Sequence, residues 1–155
     1  MSETRAGIFR EIAHGSSDYD LACQLRHEVL RKPLGLNLYE EGLEREGSQW
    51  HFGLFTEAGH LLGCVVALPM PGRTVRIRQM AVVPEFQRRG LGTRIMQELE
   101  QELVRRGIRK AILHARASAA GFYERLGYRV SGEPFEEIGL VHYLMTKNLA
   151  AEDAG

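Results

Sequence analysis

The sequence predicts an α/β (α+β) fold, one mixed sheet with helices on its faces, and three observations carry that expectation. Its 155 residues, 44% of them hydrophobic, match one globular domain, a length at which roughly 70% of the unfolded surface is buried on folding. Segments of period-two alternation and segments of helical apolar spacing follow one another in the order β, α, α, three β, α, β, α, two β. No repeat, low-complexity tract or linker interrupts them, so residues 1–149 are expected to form a single domain, with the polar tail at 150–155 disordered.

Residues 7–13 alternate weakly as a first strand, and Ser16, Ser17 and Asp18 then offer capping oxygens for a helix. Leu21, Ala22, Leu25, Val29 and Leu30 recur at helical spacing, and Lys32-Pro33 disfavours continuation, so this helix should stop near Arg31. Residues 37–47 are polar and acid-rich, a loop with a short second helix. Residues 49–56 and 61–68 read as strands joined around Ala58-Gly59, and Pro71-Gly72 turns the chain into a third strand over 75–83, where Val75, Ile77 and Gln79 oppose Arg76, Arg78 and Met80. Leu91, Ile95, Met96, Leu99, Leu103 and Val104 mark the clearest helix, closed by Gly107. A strand at 110–114, a short helix at 118–126 ended by Gly127, and strands at 128–131 and 141–149 complete the order.

Composition excludes several functions. Lys+Arg and Asp+Glu number 20 each and the pI is near 7.0, so no global field draws the chain onto nucleic acid or an anionic membrane. The longest apolar run, residues 61–70, is broken by Gly63 and Pro69 and falls short of the ~20 residues a spanning helix needs. The start, MSETRAGIFREIAHG, has no apolar block after a basic segment, so neither leader nor anchor is expected and the cytoplasm is the expected location. Cys23 and Cys64 lie in apolar segments without CxxC spacing, as packed thiols do, and the six histidines form no chelating pair, so no metal is expected.

The informative junction joins the third hairpin strand to the clearest helix through Pro84 and Gln87-Arg88-Arg89-Gly90-Leu91-Gly92-Thr93. A helix N-terminus carries unpaired N–H groups and roughly half a positive charge, and glycines let a phosphate reach the backbone. Arg88, Arg89 and Arg94 crowd the same end, where cations oppose the helix dipole unless an anion compensates them. A P-loop would need a Gly-Lys pair, which the chain lacks, and the dinucleotide fingerprint would need glycine where Ile95 stands.

MAVVPEFQRRGLGTRIM resembles the acyl-CoA-binding segment of the GNAT superfamily of N-acetyltransferases, with its Q/RxxGxG/A core at Gln87 to Gly92, and ASAAGFYERLGYRV resembles the family's second segment. LACQLRHEVLR and EEIGLVHYLM further resemble the ElaA-like branch. The resemblance implies a splayed, mostly antiparallel sheet of about six to seven strands with about four helices. It implies acetyl-CoA as co-substrate, with Met80, Ala81 and Val82 offering backbone groups to the pantetheine arm and acetyl carbonyl and residues 88–93 cradling the pyrophosphate. Tyr123 is then the proton donor to the departing thiolate. Many relatives carry an asparagine before this tyrosine; here Arg116, Ala117 and Ser118 stand in that stretch, and the pantetheine contact is either lost or made by Ser118.

Acylation of an amine also needs a proton acceptor, for which His142 and His114 are candidates, with Glu136 and Glu137 as further options. Glu40, Glu41, Glu44 and Glu46, with Glu133, Glu136 and Glu137, lie in segments that border the acceptor groove in the family and suit a cationic small-molecule or peptide amine, unless they are simply solvated. A module that holds acyl-CoA as a sensor, without turnover, would share the phosphate turn and is the competing expectation. A homodimer through an exposed sheet edge is the expected assembly if there is one.

Overall fold

In the computed structural model, which describes residues 7–149, β1 (Ile8–Ile12) leads into α1 (Ser17–Arg26) through a local cap. Ser16 is extended, and its Oγ accepts from the Tyr19 N–H at 3.1 Å, satisfying one orphan donor of the first turn. Helical turns continue past the expected stop: a π-helical turn, His27–Arg31, runs into a 3₁₀ turn, Lys32–Leu34, whose first turn absorbs Pro33, where a missing N–H costs nothing. The acidic stretch forms two 3₁₀ turns, Leu38–Glu40 and Leu43–Ser48, in place of an α-helix. The expected tail at 150–155 lies outside the described residues.

The remaining strands are β2 (Trp50–Phe55), β3 (Leu61–Met70), β4 (Thr74–Val82), β5 (Lys110–Arg116), β6 (Arg129–Val130), β7 (Phe135–Glu137) and β8 (Leu140–Asn148), with α2 (Leu91–Arg105) after β4 and α3 (Ala120–Arg125) after β5. They hydrogen-bond in the order β1-β2-β3-β4-β5-β8-β6, with β7 also on β8. β4 and β5 run parallel, and the pairs β1/β2, β2/β3, β5/β8, β6/β8 and β7/β8 run antiparallel. This is the mixed, mostly antiparallel sheet the sequence predicts, with one more strand, β7, than the six or seven expected. Three residues after Pro134 are too few to show alternation.

By contacts the described chain divides into two units, one of residues 7–68 with Gln79–Leu99 and the other of Pro69–Arg78 with residues 100–149. The first unit encloses Ile12, Ala22, Cys23, Leu38, Phe55, Cys64 and Ala81. Gly63 is required there by close approach: a Cβ would lie 2.6 Å from Ile95 Cδ1 and 2.9 Å from the Ala81 carbonyl oxygen, so only glycine lets α2 and the end of β4 close on β3. The second unit buries Val75, Ile77, Ala111, Leu113, Ala115 and Met145. Its Lys147 Nζ donates to the Leu126 carbonyl at 2.7 Å and to Glu100 Oε1 at 2.8 Å, while the Tyr128 hydroxyl donates to Glu100 Oε2 at 2.7 Å. The carbonyl just after α3 is thereby satisfied by a cation, as the helix dipole favours.

β4 departs from simple alternation at one residue. Val75 and Ile77 are buried, but Gln79 is not, and burial resumes at consecutive positions, Ala81 and Val82. The cause is Gln79 itself, whose φ is +58°. For a non-glycine residue that conformation costs roughly 1–2 kcal/mol and breaks the pleat. The β4–β5 register runs from Thr74↔Lys110 to Ile77↔Leu113, ahead of this kink.

Candidate active site

The phosphate turn belongs to the first unit. After a 3₁₀ turn, Pro84–Phe86, the chain passes through Arg88 at φ +66° and Gly90 at φ +83° into α2. The first ladder bond of α2 runs from the Arg94 N–H to the Gly90 carbonyl at 3.0 Å. The N–H groups of Leu91, Gly92 and Thr93 precede it and remain for an external acceptor, as at any helix N-terminus. Two left-handed residues so close together give the concave backbone that suits an anion. Arg88, Arg89 and Gly90 are exposed, with the Arg89 guanidinium 5.5 Å from the Phe86 ring, and Gly92 and Thr93 are half-buried.

Two side chains of the turn have other partners. Gln87 Nε2 donates to the Val82 carbonyl at 3.0 Å, lashing the turn to the end of β4. Arg94 does not join Arg88 and Arg89: its Nε donates to Glu98 Oε2 at 2.9 Å, one helical turn on, and its Nη2 donates to the Gly7 carbonyl. Its charge is compensated within the protein, which corrects the expected cluster of three arginines to two. Met80 is half-buried, Ala81 and Val82 are buried, and the Val83 N–H beyond them is taken by the Leu62 carbonyl at 2.9 Å.

In the second unit Tyr123 lies on α3, its ring edge-on to Phe122 at 4.9 Å and to Tyr128 at 5.9 Å. Burial pushes its phenol up to about 12, although the side chain as a whole keeps partial exposure. The group is therefore a neutral donor at any ordinary pH, and no hydrogen-bond partner occupies it among the described residues. Ser118 is exposed in the 3₁₀ turn Ala117–Ala119 that precedes α3.

The two histidines differ in what their rings can do. His142 is 3% exposed; its Nδ1 lies 2.9 Å from the Leu140 carbonyl oxygen, so Nδ1 carries the proton and Nε2 the lone pair. Phe135 stacks on the ring at 5.9 Å. His114 Nδ1 lies 2.9 Å from both Glu137 Oε1 and Arg76 Nη2, an acceptor and a donor competing for one nitrogen. Burial acts to raise the Glu137 pKa, but the His114 bond and the His114 and Arg76 charges more than offset it and hold the carboxyl below its ordinary 4.5.

The acidic residues divide. Glu40, Glu41, Glu44, Glu133 and Glu136 are exposed, Glu41 as the partner of Arg31 at 2.6 Å. Glu46 is not a solvated acid: it is 6% exposed and receives both Nη groups of Arg26, at 3.0 and 2.7 Å, and the Tyr19 hydroxyl at 2.8 Å. Arg26, only 1% exposed, also donates through Nε to Gln79 Oε1 at 3.3 Å. This network was not found from sequence. Its available signal was Arg26 standing four residues after Ala22, on the apolar face of α1.

His51 completes the cluster, its Nε2–H donating to the Glu46 carbonyl at 2.9 Å, and burial holds its pKa below 6.5. A histidine buried neutral lowers stability as the pH falls below its unfolded value, because the unfolded chain then takes up the proton more readily. Exchange of His51 for glutamine is expected to flatten the stability curve just below pH 6.5; urea midpoints on either side of that value check it.

The family model described as Acetyltransferase (GNAT) domain matches residues 28–149. The chain belongs to the GNAT acetyltransferase family. Its sequence is 35% identical to the Bacillus subtilis (strain 168) protein YyaT over 79 residues, 51% of this chain and 53% of YyaT, so the match spans about half the length of that relative. The fold is that of a crystal structure from Lactobacillus plantarum, with a TM-score of 0.82 at 22% identity, covering 93% of this chain and 99% of the other. An aminoglycoside 6'-N-acetyltransferase complexed with coenzyme A superposes with a TM-score of 0.74 at 18% identity, covering 91% and 96%. No helix among the described residues is long and apolar enough to cross a membrane.

Proposed function

We propose that residues 1–149 act as one acyl-CoA-dependent N-acyltransferase domain that moves an acetyl group from acetyl-CoA to a primary amine of a small molecule or peptide, by direct attack in a ternary complex, and that they do so in the cytoplasm. The observation that carries this is the turn before α2, where Arg88 and Gly90 adopt positive φ and three N–H groups precede the first ladder bond. The pyrophosphate of the cofactor is the anion for this turn, and Arg88 and Arg89 supply its countercharge. The coenzyme A held by a protein of the same fold supports the choice of anion.

The chain's groups then divide the chemistry. Backbone groups of Met80, Ala81 and Val82 bind the pantetheine and hydrogen-bond the thioester carbonyl, whose oxygen gains charge when the amine adds. The Val82 carbonyl already serves Gln87. The amine reaches the carbonyl carbon uncharged, its proton having passed to His142 Nε2 directly or through water; His114 is the alternative acceptor. Collapse of the tetrahedral adduct expels the thiolate, to which Tyr123 offers its hydroxyl, while the adduct nitrogen sheds its second proton to water and leaves a neutral amide. A phenol near 12 is a weaker acid than a thiol of about 8.5, so its larger contribution is a hydrogen bond to the sulfur as charge develops there. Ser118 is assigned to the pantetheine.

The test is amine-dependent thiol release from acetyl-CoA across a panel of primary amines. Release requiring both components supports the enzyme; tight binding without release for any amine points to a sensor. Gly90→Ala bears on the turn itself. Open space surrounds the position, so a Cβ meets nothing, and the penalty is the left-handed φ alone. That is about 1 to 2 kcal/mol, and it is expected to weaken acetyl-CoA binding about tenfold on titration.

A further inference from the structure

We propose that Arg26 is a positioning residue: by donating through Nε to Gln79, it fixes the kink of β4 from which Met80, Ala81 and Val82 are presented to the acyl-pantetheine. The proposal rests on the functional reading above for what the presented segment binds, and on the first unit's own geometry for the clamp.

The kink is strained and needs a cause. Gln79 holds φ +58° inside a strand, and a non-glycine residue stays in that region only where its surroundings over-determine it. Its side-chain amide oxygen meets Arg26 Nε at 3.3 Å. Arg26 and Gln79 are 53 residues apart in sequence, so the contact ties the end of α1 to the middle of β4.

Arg26 is built to be immobile. Its guanidinium is 1% exposed, and such a charge leaves water only when its donors are matched. Glu46 takes the two Nη groups side by side, at 3.0 and 2.7 Å, the paired geometry that fixes a guanidinium plane. Tyr19 holds Glu46 from the other side at 2.8 Å, and Cys23 Sγ lies 3.8 Å from Nη1. With the Nη pair turned to Glu46, Nε faces the strand. The local chain fits this placement: Arg26 is the last residue of α1, and the π-helical turn begins at the next residue, where such turns re-aim a helix.

The clamp acts on the segment that follows it directly. Met80 is the next residue after Gln79, and the Ala81 carbonyl already sits against Gly63, so a relaxed kink would move the very backbone groups assigned to the thioester. Displacement of such groups by about 1 Å can cost on the order of a hundredfold in rate. The pyrophosphate turn lies further along and keeps its hold on the cofactor, so the effect falls on kcat and spares the KM for acetyl-CoA.

Gln79→Met removes the acceptor and keeps an unbranched chain of similar length; kcat is expected to fall about ten- to a hundredfold at unchanged KM for acetyl-CoA. Gln79→Glu still accepts from Arg26 Nε and is expected to restore most of the rate. Equal rates in all three proteins, or equal losses in both variants, overturn the clamp. The double exchange Arg26→Met with Glu46→Leu removes the pair without orphaning a charge; folded protein with the same kcat loss supports the proposal, and folded protein with normal kcat overturns it. Amide hydrogen exchange over residues 79–82, without cofactor, separates this claim from the functional reading. Faster exchange in Gln79→Met than in the unaltered chain supports the clamp, and unchanged exchange overturns it; an unaltered chain that releases no thiol with any amine overturns the functional reading alone.

Discussion

Glu46→Ala is expected to lower the free energy of unfolding by about 3–5 kcal/mol, the cost of leaving one partner of a buried ion pair uncompensated. The carboxylate neutralises Arg26 inside the first unit, and both side chains are almost wholly buried, 1% and 8% exposed. Domains of this kind are stable by about 5–15 kcal/mol, so the variant should approach the threshold of unfolding, read as a much lower urea midpoint at neutral pH. The double exchange to apolar residues should lie far closer to the unaltered chain, because what is costly is the orphaned charge and not the lost attraction. The pH dependence has a definite sign. Burial acts to raise the Glu46 pKa, but the Arg26 hydrogen bond and charge more than offset it, leaving it below 4.5. A carboxylate depressed in the fold contributes stability that is present above its unfolded value and is lost as the pH falls through the folded one. Acid unfolding should therefore set in below pH 4.5 and be less steep in the apolar double variant.

Tyr123→Phe is expected to lower kcat by about 10²–10³, the range for losing one hydrogen-bond donor to charge that develops in the transition state, with acetyl-CoA affinity unchanged. The ring contacts that hold the side chain, to Phe122 and Tyr128, do not involve the hydroxyl, so phenylalanine keeps them. No described residue bonds to that hydroxyl, so its removal orphans nothing and the urea midpoint should stay where it is. Because burial raises the phenol to about 12, Tyr123 remains protonated across the working range and should not set the alkaline limb of the rate profile. Steady-state rates at saturating amine, with titration of acetyl-CoA in parallel, check both halves; loss of affinity together with rate would mean a binding role.

What the sequence revealed was local. Ser16 as a cap, Gly107 as a stop and the apolar stripe of α2 depend on residues a few positions apart, and each stands where expected. The turn before α2 was legible for the same reason, since glycines and arginines there sit within one short segment. The features that escaped notice depend on distant partners. Arg26 and Glu46 are 20 residues apart, and charges at such spacing read as solvated until the fold brings them together. Gln79 is where the apolar/polar alternation lapses, a polar residue in phase with Val75 and Ile77 followed by Met80 out of phase, but a lapse of that kind does not signal a positive φ. Arg94 stands beside Arg88 and Arg89 in sequence, but Glu98, four residues on, is the local mark of the pairing it makes. For the proton acceptor, sequence offers both His142 and His114, and each ring has an oxygen 2.9 Å from its Nδ1, the Leu140 carbonyl for His142 and Glu137 for His114, partners that no local spacing announces.

The most direct test of the central claim is a calorimetric titration of acetyl-CoA beside an acetylated pantetheine that lacks the nucleotide and pyrophosphate, followed in the same cell by addition of primary amines with thiol detection. We expect acetyl-CoA to bind at micromolar concentrations, the truncated ligand to bind far more weakly, and thiol to appear only when an amine is added. Equal affinity for the two ligands, or no binding of either, would contradict the assignment of residues 87–93 as the site that holds the cofactor.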